Sequence, residues 1–457
     1  MDYNALYNSF LEREQELRSF HPTSELLKWI EGKNITLEVS LKQEYLSECT
    51  PWFYSEKEGI IRNDKRTFFQ ISGIRATNAE GEVTEQPIII QDEIGFLGII
   101  ACKINGIWHY LMQAKVEPGN VNNVQISPTI QATKSNFTQQ HGGKKPLFLE
   151  YFLNMDPKDI IVDQIQSEQS SRFLGKRNRN VILKVSERLE ETDSHRWMSL
   201  SQIKELMRHD NLVNMDTRTV LSCIPYVLLG TEGDVPFKNK LYFNKTAAQL
   251  DRQTIVNLYH QINNYKMYRA CKKELIPLYT MKDWEMQEDE FVNKEGSFFK
   301  IIFCNIRIEG REVTQWHQPL FAATGIAQFG LLCCDDDGIM KFLVRVAPEI
   351  GCFDSVEIGP SVQREAGDSH PYNEVESLFY RKLKNGEGIL ANVLLSEEGG
   401  RFYQEQNRNV ILFIDKEELP VLMEGYIWSD YGTLNILTQI NNCVNIQLRN
   451  LLSILEI

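Results

Sequence analysis

The sequence predicts an α+β protein built from two tandem, internally duplicated units, each a mixed sheet flanked by helices. Three observations carry this prediction. The first is self-similarity. Trp52 recurs as Trp284, Gln86-Pro87 as Gln318-Pro319, and Gly98 as Gly330. Glu117, Gly119, Pro128 and Gln131 recur as Glu349, Gly351, Pro360 and Gln363, all at one offset of 232. Arg172-Phe173 and Asn178-Arg179-Asn180 return as Arg401-Phe402 and Asn407-Arg408-Asn409 at an offset of 229, and Asn211, Asn214 and Arg218 return as Asn442, Asn445 and Arg449 at 231. A period of about 230 residues is far too long for a solenoid unit, so each copy is a whole domain. The second observation is strand-like alternation, and the third is helical spacing at both ends of each copy.

Taken in order, Leu6, Phe10 and Leu17 share one helical face, and Ile255, Leu258 and Ile262 repeat it in the second copy. Strand-like stretches follow at Thr67–Ile74, Ile88–Ile90, Gly95–Lys103 and Trp108–Lys115. Near the end of the first copy, Ser199 and Gln202 form a capping-box pattern ahead of Ile203, Leu206 and Met207. The polar, Gly/Pro-bearing segment Gly230–Lys240 marks a boundary. The expected division is a first repeat over 1–230, a linker over 231–250 and a second repeat over 251–457.

The 457 residues are 42% apolar and 24% charged, which suits globular domains and excludes a disordered or fibrous chain. The longest apolar run, Ile94 to Cys102, falls short of the about 20 residues a membrane helix needs. The amino terminus is polar, without a signal-peptide stretch. A net charge of −13 argues against nucleic acid as the main partner. The nine cysteines are scattered, with no Cys-x-x-Cys pair, so neither a zinc cluster nor a disulfide framework is encoded. The expectation is a soluble cytoplasmic protein without a membrane segment. Glycine-rich dinucleotide loops, Walker loops, His-Glu-x-x-His and Gly-x-Ser-x-Gly are all missing. The vicinal pair Cys333-Cys334 reads as core.

Three polar blocks stand out in the first copy. In QAKVEPGN (113–120), leading to QISPTIQAT (125–133), strand alternation puts His109, Leu111, Gln113 and Lys115 on one face and Tyr110, Met112 and Ala114 on the other. The polar row is either a solvated sheet face or part of a site, and the Glu-Pro-Gly that follows makes a strand-end turn where functional groups sit. The block QSEQSSRFLGKRNRN (166–180) gathers Arg172, Lys176, Arg177 and Arg179 in an otherwise acidic domain. Guanidinium groups fit phosphate oxygens in a two-point fork, so this cluster points either to a diphosphate ligand or to an internal ion-pair network. In DNLVNMDTRTVLSC (210–223), Asp216 or Thr217 is placed to cap a short helix, a fastening role rather than a chemical one.

These blocks resemble the NDP-hexose 2,3-dehydratase family, sugar-nucleotide enzymes that begin 2-deoxygenation. The resemblance runs from about Trp52 to the carboxyl end, with four long motifs in order. It implies two tandem Nudix-like domains, a homodimer, and a substrate of the dTDP-4-keto-6-deoxyglucose type. It also implies loss of water across C2 and C3 to a 3,4-diketo-2,6-dideoxy sugar, which a downstream NADPH-dependent 3-ketoreductase would reduce. The Nudix hydrolase signature itself is missing; SEEGG at 396–400 lacks its Arg-Glu and spacing. Without those carboxylates no metal is positioned to activate water for pyrophosphate cleavage. The alternative from another class is a non-catalytic nucleotide-sugar-binding or scaffold subunit.

Such chemistry needs a base at C3, donors for the enolate at the C4 oxygen, and an acid for the C2 hydroxyl. It demands no redox cofactor and no metal. The candidates are Glu117 or His109 as base, Lys115 or Gln113 as enolate donor, and Glu168 or His109 as acid. For substrate binding the candidates are Gln113, Asn120, Gln131, Arg172, Arg177 and Arg179, with Trp52 to stack on the base. Between the copies, His109, Gln113, Lys115, Asn120 and Ser127 become Lys341, Arg345, Ala347, Cys352 and Gly359, whereas Glu117, Gln131, Glu168, Arg172 and Arg179 persist as Glu349, Gln363, Glu397, Arg401 and Arg408. The shared set is therefore expected to build one pocket per domain, the second from Glu349, Gln363, Arg401, Arg408 and Trp316, with full chemistry in the first alone.

Overall fold

A computed structural model describes residues 18–66, 68–133, 146–226, 252–296, 298–309, 313–368 and 371–455. The expected helix over Leu6, Phe10 and Leu17 and the expected boundary at Gly230–Lys240 lie outside these residues. The fold is α+β and duplicated, each copy contributing one large mixed sheet and one smaller sheet.

In the first copy the large sheet runs Ile160–Ser167, Arg177–Val185, Gly95–Ile104, Ile107–Val116, His195–Ser199, with a parallel step between Arg177–Val185 and Gly95–Ile104. The second copy repeats it as Ile389–Ser396, Gln406–Phe413, Ala327–Asp336, Ile339–Pro348 and Tyr426–Asp430, parallel at the same step. The central hairpins close through Asn105-Gly106 and Asp337-Gly338, both residues of each pair at positive φ. That is the two-residue turn whose twist matches paired strands. Gly98 and Gly330 recur for a packing reason: a Cβ there would sit 2.7 Å from the Phe152 ring and 2.3 Å from the Phe379 ring. The capping box forms as expected, Gln202 N donating to Ser199 Oγ at 3.3 Å and Ser199 N to Gln202 Oε1 at 3.0 Å, and it starts helix Leu200–Leu206. Helix Arg252–Asn264 buries Leu258 and Ile262.

The strand Ile107–Val116 bears on the two readings left open for its polar row. The row is buried at His109 and Leu111 and only half-buried at Gln113 and Lys115, so it is not a uniformly solvated face. Trp108, Tyr110 and Met112 enter one apolar cluster and Leu111 another, and His109 is fully buried among them. Cys333 and Cys334 divide between two clusters in the same way, as expected of core residues.

The two copies are interleaved. Strand Val39–Gln43 of the first pairs with Phe299–Ile308 of the second, and Lys272–Ile276 of the second pairs with Gln70–Thr77 of the first. Helices Met215–Ser222 and Ile446–Ser453 pack against each other across the copies. Arg218 donates to Ser396 O at 2.8 Å and to Asn450 Oδ1 at 3.2 Å, while Arg449 donates to Ser167 O at 2.5 Å. A single apolar cluster holds Leu97, Ile126 and Val220 together with Phe329, Ile358 and Leu451. No helix among the described residues is long and apolar enough to cross a membrane.

Candidate active site

The site lies where the copies cross. Each Glu-x-Gly turn grips a loop of the opposite copy. Gly119 N donates to Gly399 O at 2.8 Å and Gln404 N to Gly119 O at 2.7 Å; reciprocally, Gly351 N donates to Ser170 O and Gly175 N to Gly351 O, both at 2.8 Å. Only glycine fits, since a Cβ on Gly119 would meet Phe402 O at 1.7 Å and one on Gly351 would meet Phe173 O at 1.9 Å. The loop bearing Glu398 and Arg401 is thereby delivered to the first copy's strand ends.

A cleft of about 290 Å³ opens there. Its walls include Gly95, Lys115, Glu117, Gln131, Glu168, Lys176, Asn178 and Asp216 from the first copy and Trp316, Gln318, Glu398 and Arg401 from the second. A neighbouring recess of about 270 Å³ shares Lys115 and Gln131 and adds Gln113, Thr129 and Leu147. Glu117 is the best-held group. Its Oε1 accepts from Lys115 Nζ at 2.9 Å and from Gln131 Nε2 at 2.9 Å, and its Oε2 accepts from Gly399 N at 3.2 Å. Glu168, 5% exposed, accepts from Asn178 Nδ2 through Oε2, while Oε1 has no partner among the described residues. Lys176 Nζ donates to Glu93 O at 2.5 Å. Arg401 lies 4.4 Å from the centre of the Phe69 ring and donates to Gly400 O at 2.9 Å and Gln91 Oε1 at 3.3 Å; its Nε has no partner and it forms no ion pair among the described residues. Trp316 Nε1 donates to Gln318 Oε1 at 2.9 Å, and Gln318 Nε2 to Gly400 O at 2.8 Å.

Burial dominates the electrostatics. It pushes the Glu398 carboxyl up to about 7, with the Glu117 charge adding to the rise. Burial raises Asp216 well above the usual carboxylate range, helped by the charges of Glu168, Glu117 and Glu398. Glu168 is raised by burial against the pull of Lys176 and Arg449, and burial lowers Lys176. The cleft thus sets carboxyl groups that burial pushes toward their protonated form beside one that accepts three donors, the kind of separation acid–base chemistry uses.

The structure brings together Lys115, Glu117, Gln131 and Glu168, with Gln113 in the adjoining recess. It also brings in Arg401 and Trp316, expected in a second-copy pocket, because their loop and strand cross to the first copy. Arg172 makes the reciprocal move. It is buried beside the second copy, 2.7 Å from Glu365 Oε2, 3.9 Å from Glu405 and 4.1 Å from the centre of the Phe299 ring. Glu349 and Gln363 stand on that side, Gln363 Nε2 donating to Glu349 Oε1 at 2.9 Å. The expectation of one pocket per domain from its own residues is corrected accordingly.

Other candidates lie elsewhere. His109 Nε2 accepts from Phe20 N at 3.0 Å, and burial pushes it down to about 4; it is a core histidine at the far end of its strand. Arg179 is spent on a two-point surface pair with Asp163 at 2.7 and 2.5 Å, and Arg408 contacts Asn392 at 3.1 Å. Arg177 stacks on Phe353 with 4.0 Å to the ring centre. Asn120 is buried and donates to Asn123 O at 2.9 Å, holding the turn. Trp52 is 5% exposed and packs on Phe69 in a core cluster. The cap of helix Met215–Ser222 is Asn214, not Asp216 or Thr217. Asp216, Glu398 and Asn178 were not foreseen. For the first two a signal existed, since their counterparts in the other copy are the amides Gln447 and Gln169.

The sequence model described as NDP-hexose 2,3-dehydratase matches twice, over residues 23–224 and 256–455. Three curated relatives share the name dTDP-4-dehydro-6-deoxy-alpha-D-glucopyranose 2,3-dehydratase. The protein from Saccharopolyspora spinosa is 33% identical over 445 residues, 95% of this chain and 91% of its own. That from Streptomyces violaceoruber is 34% identical over 437 residues, 93% and 95%, and that from Amycolatopsis orientalis 32% over 441 residues, 94% and 89%. Both copies and the crossing between them fall within the matched residues, and the chain belongs to the NDP-hexose 2,3-dehydratase family.

Proposed function

We propose that the chain removes water across C2 and C3 of dTDP-4-keto-6-deoxy-D-glucose, giving the dTDP-3,4-diketo-2,6-dideoxy sugar. The observation that carries this reading is the composite cleft, in which Glu117, held by three donors, stands beside carboxyl groups that burial pushes up and a guanidinium, Arg401, with no ion pair among the described residues. The C3 hydrogen is α to the C4 ketone, so a carboxylate can remove it once the enolate is stabilised. Glu117 is the base. Lys115, whose ammonium spends one hydrogen on Glu117, directs another at the C4 oxygen; a well-placed donor of this kind contributes about 3–4 kcal/mol. The enolate then expels the C2 hydroxyl, protonated by an acid of the cleft, for which Glu168 is a candidate. The resulting 3-hydroxy enol ketonises by losing its hydroxyl proton and taking one at C2. Arg401 suits the diphosphate. Gln131 and Gln113 border the sugar end, and Trp316 is offered for base stacking. The diketo product calls for an NADPH-dependent 3-ketoreductase downstream. A cytoplasmic homodimer completes the reading.

The test is mass spectrometry of the protein with dTDP-4-keto-6-deoxyglucose, a chemical reductant or a 3-ketoreductase trapping the product, with and without magnesium. Loss of one water with the diphosphate intact is expected. Unconsumed substrate that nevertheless binds tightly, across a panel of nucleobases, would replace this reading with that of a binding subunit.

A further inference from the structure

Asp216 is the second residue of helix Met215–Ser222, whose cap is supplied by Asn214 Oδ1 accepting from Thr217 N at 2.9 Å. It is therefore free of capping duty. It is 2% exposed, borders the cleft, and makes no hydrogen bond or ion pair among the described residues. Its counterpart Gln447 places an amide nitrogen 3.5 Å from Glu349 Oε1, the counterpart of Glu117, so this position faces the Glu-x-Gly turn. The first copy consequently sets two carboxyl groups toward each other, one supplied with three donors and one with none. Two such groups do not share one ionisation state: the donor-rich one is the carboxylate and the bare one keeps its proton.

Glu168 differs in kind. Its contact with Asn178 is repeated in the second copy by Glu397 and Asn407, so that pair belongs to the framework of both copies. The carboxyl at 216 occurs only in the first, where the second has an amide with no proton to deliver.

We infer that Asp216 is the acid that protonates the departing C2 hydroxyl, opposite Glu117 as the base at C3. This rests on the dehydratase reading. Glu117 takes the C3 proton and the electron pair passes to the C4 oxygen. As the C4 carbonyl reforms, C2 and C3 become doubly bonded, the C2–O bond breaks, and the hydroxyl leaves as water with the Asp216 proton. Ketonisation restores both groups: C2 takes the proton held by Glu117, and the 3-hydroxyl gives its proton to the Asp216 carboxylate. Net change is loss of one water, with no oxidant or reductant.

The two half-reactions separate experimentally. Asp216→Asn, and Asp216→Gln copying Gln447, are tested for C3 hydrogen exchange in D₂O, for water loss, and for fluoride release from the 2-deoxy-2-fluoro analogue of the substrate. Fluoride leaves without a proton donor. Expected are wild-type C3 exchange, water loss reduced by about 10²–10⁴-fold, and fluoride release within a few-fold of wild type. Retained water loss in a folded variant overturns the assignment. So does loss of C3 exchange, or fluoride release that falls as far as water loss. A wild-type protein that neither exchanges C3 hydrogen nor loses water overturns the dehydratase reading instead.

Discussion

Gly119→Ala tests the crossing of the copies directly. The added Cβ would sit 1.7 Å from Phe402 O, 2.7 Å from its carbonyl carbon and 2.9 Å from Gly399 O. Ordinary contact begins at 3.4 Å, so something must move by about 1.7 Å. The obstacle is backbone rather than a side chain with other rotamers, and Phe402 is also paired with Phe321 in a sheet. Relief therefore breaks the bonds of Gly119 N to Gly399 O and of Gln404 N to Gly119 O. Two such bonds at about 1 kcal/mol each, with overpacking at about 1–3 kcal/mol, give a destabilisation of about 3–5 kcal/mol. The displaced loop carries Glu398 and Arg401, and misplacement by about 1 Å costs on the order of 10² in turnover. Urea unfolding and kcat on the same preparation read both effects. Gly351→Ala, whose Cβ meets Phe173 O at 1.9 Å, should lose comparable stability. A Gly119→Ala protein with wild-type unfolding and wild-type turnover would refute the proposed approach of the two copies.

Lys115→Ala should lower kcat by about 10²–10³-fold while a non-reacting nucleotide-sugar analogue still binds; full activity would remove it from the enolate site. Arg401→Ala should weaken dTDP binding in calorimetry, whereas Arg179→Ala, which only opens an exposed pair with Asp163, should leave binding unchanged and cost less than about 1 kcal/mol. For pH, Glu349 sits at about 8 in the folded state because burial disfavours its charge, against 4.5 unfolded. Its favourable contribution is complete below 4.5 and is lost as pH rises toward 8. Glu349→Gln should thus gain stability relative to wild type progressively between pH 4.5 and 8 and then level off, a trend read by urea midpoints at several pH values.

The duplication, the glycines and the polar turn were legible because they are local. Gly119 and Gly351 had to recur, as no other residue fits against the opposite backbone, and Glu117 and Gln131 recur with them. What sequence could not supply was the partner of each loop. An offset relates Arg172 to Arg401 but does not say that each arginine serves the other copy, which depends on strand exchange at Val39–Gln43 and Lys272–Ile276. His109 failed for a reason of distance: parity puts it on the face of Lys115, yet six residues of strand span about 20 Å, so sharing a face is not sharing a site. Arg179 failed because Asp163 lies diagonally across the neighbouring strand, where Ile165 is its direct partner.

The two crossings use one backbone plan and reach opposite electrostatic outcomes. In the second, Arg172 is already neutralised: Glu365 holds it at 2.7 Å, and Glu405 stands where the first copy has Lys176. Ala347 replaces Lys115, so Glu349 keeps Gln363 and loses its ammonium, and its Oε2 has no hydrogen-bond partner among the described residues. Carboxyl groups there rise to about 8 at Glu349 and about 7 at Glu357 and Glu405 because burial is not offset by enough cations. In the first, Lys115, Lys176 and Arg401 all remain, and Arg401 spends its donors on a backbone carbonyl and an amide rather than a carboxylate. A half-buried guanidinium beside a cleft, without a carboxylate partner among the described residues, is the kind of group that the diphosphate of the proposed substrate would pair with. The difference between the crossings therefore lies in a few side chains at fixed positions, with the loop exchange common to both.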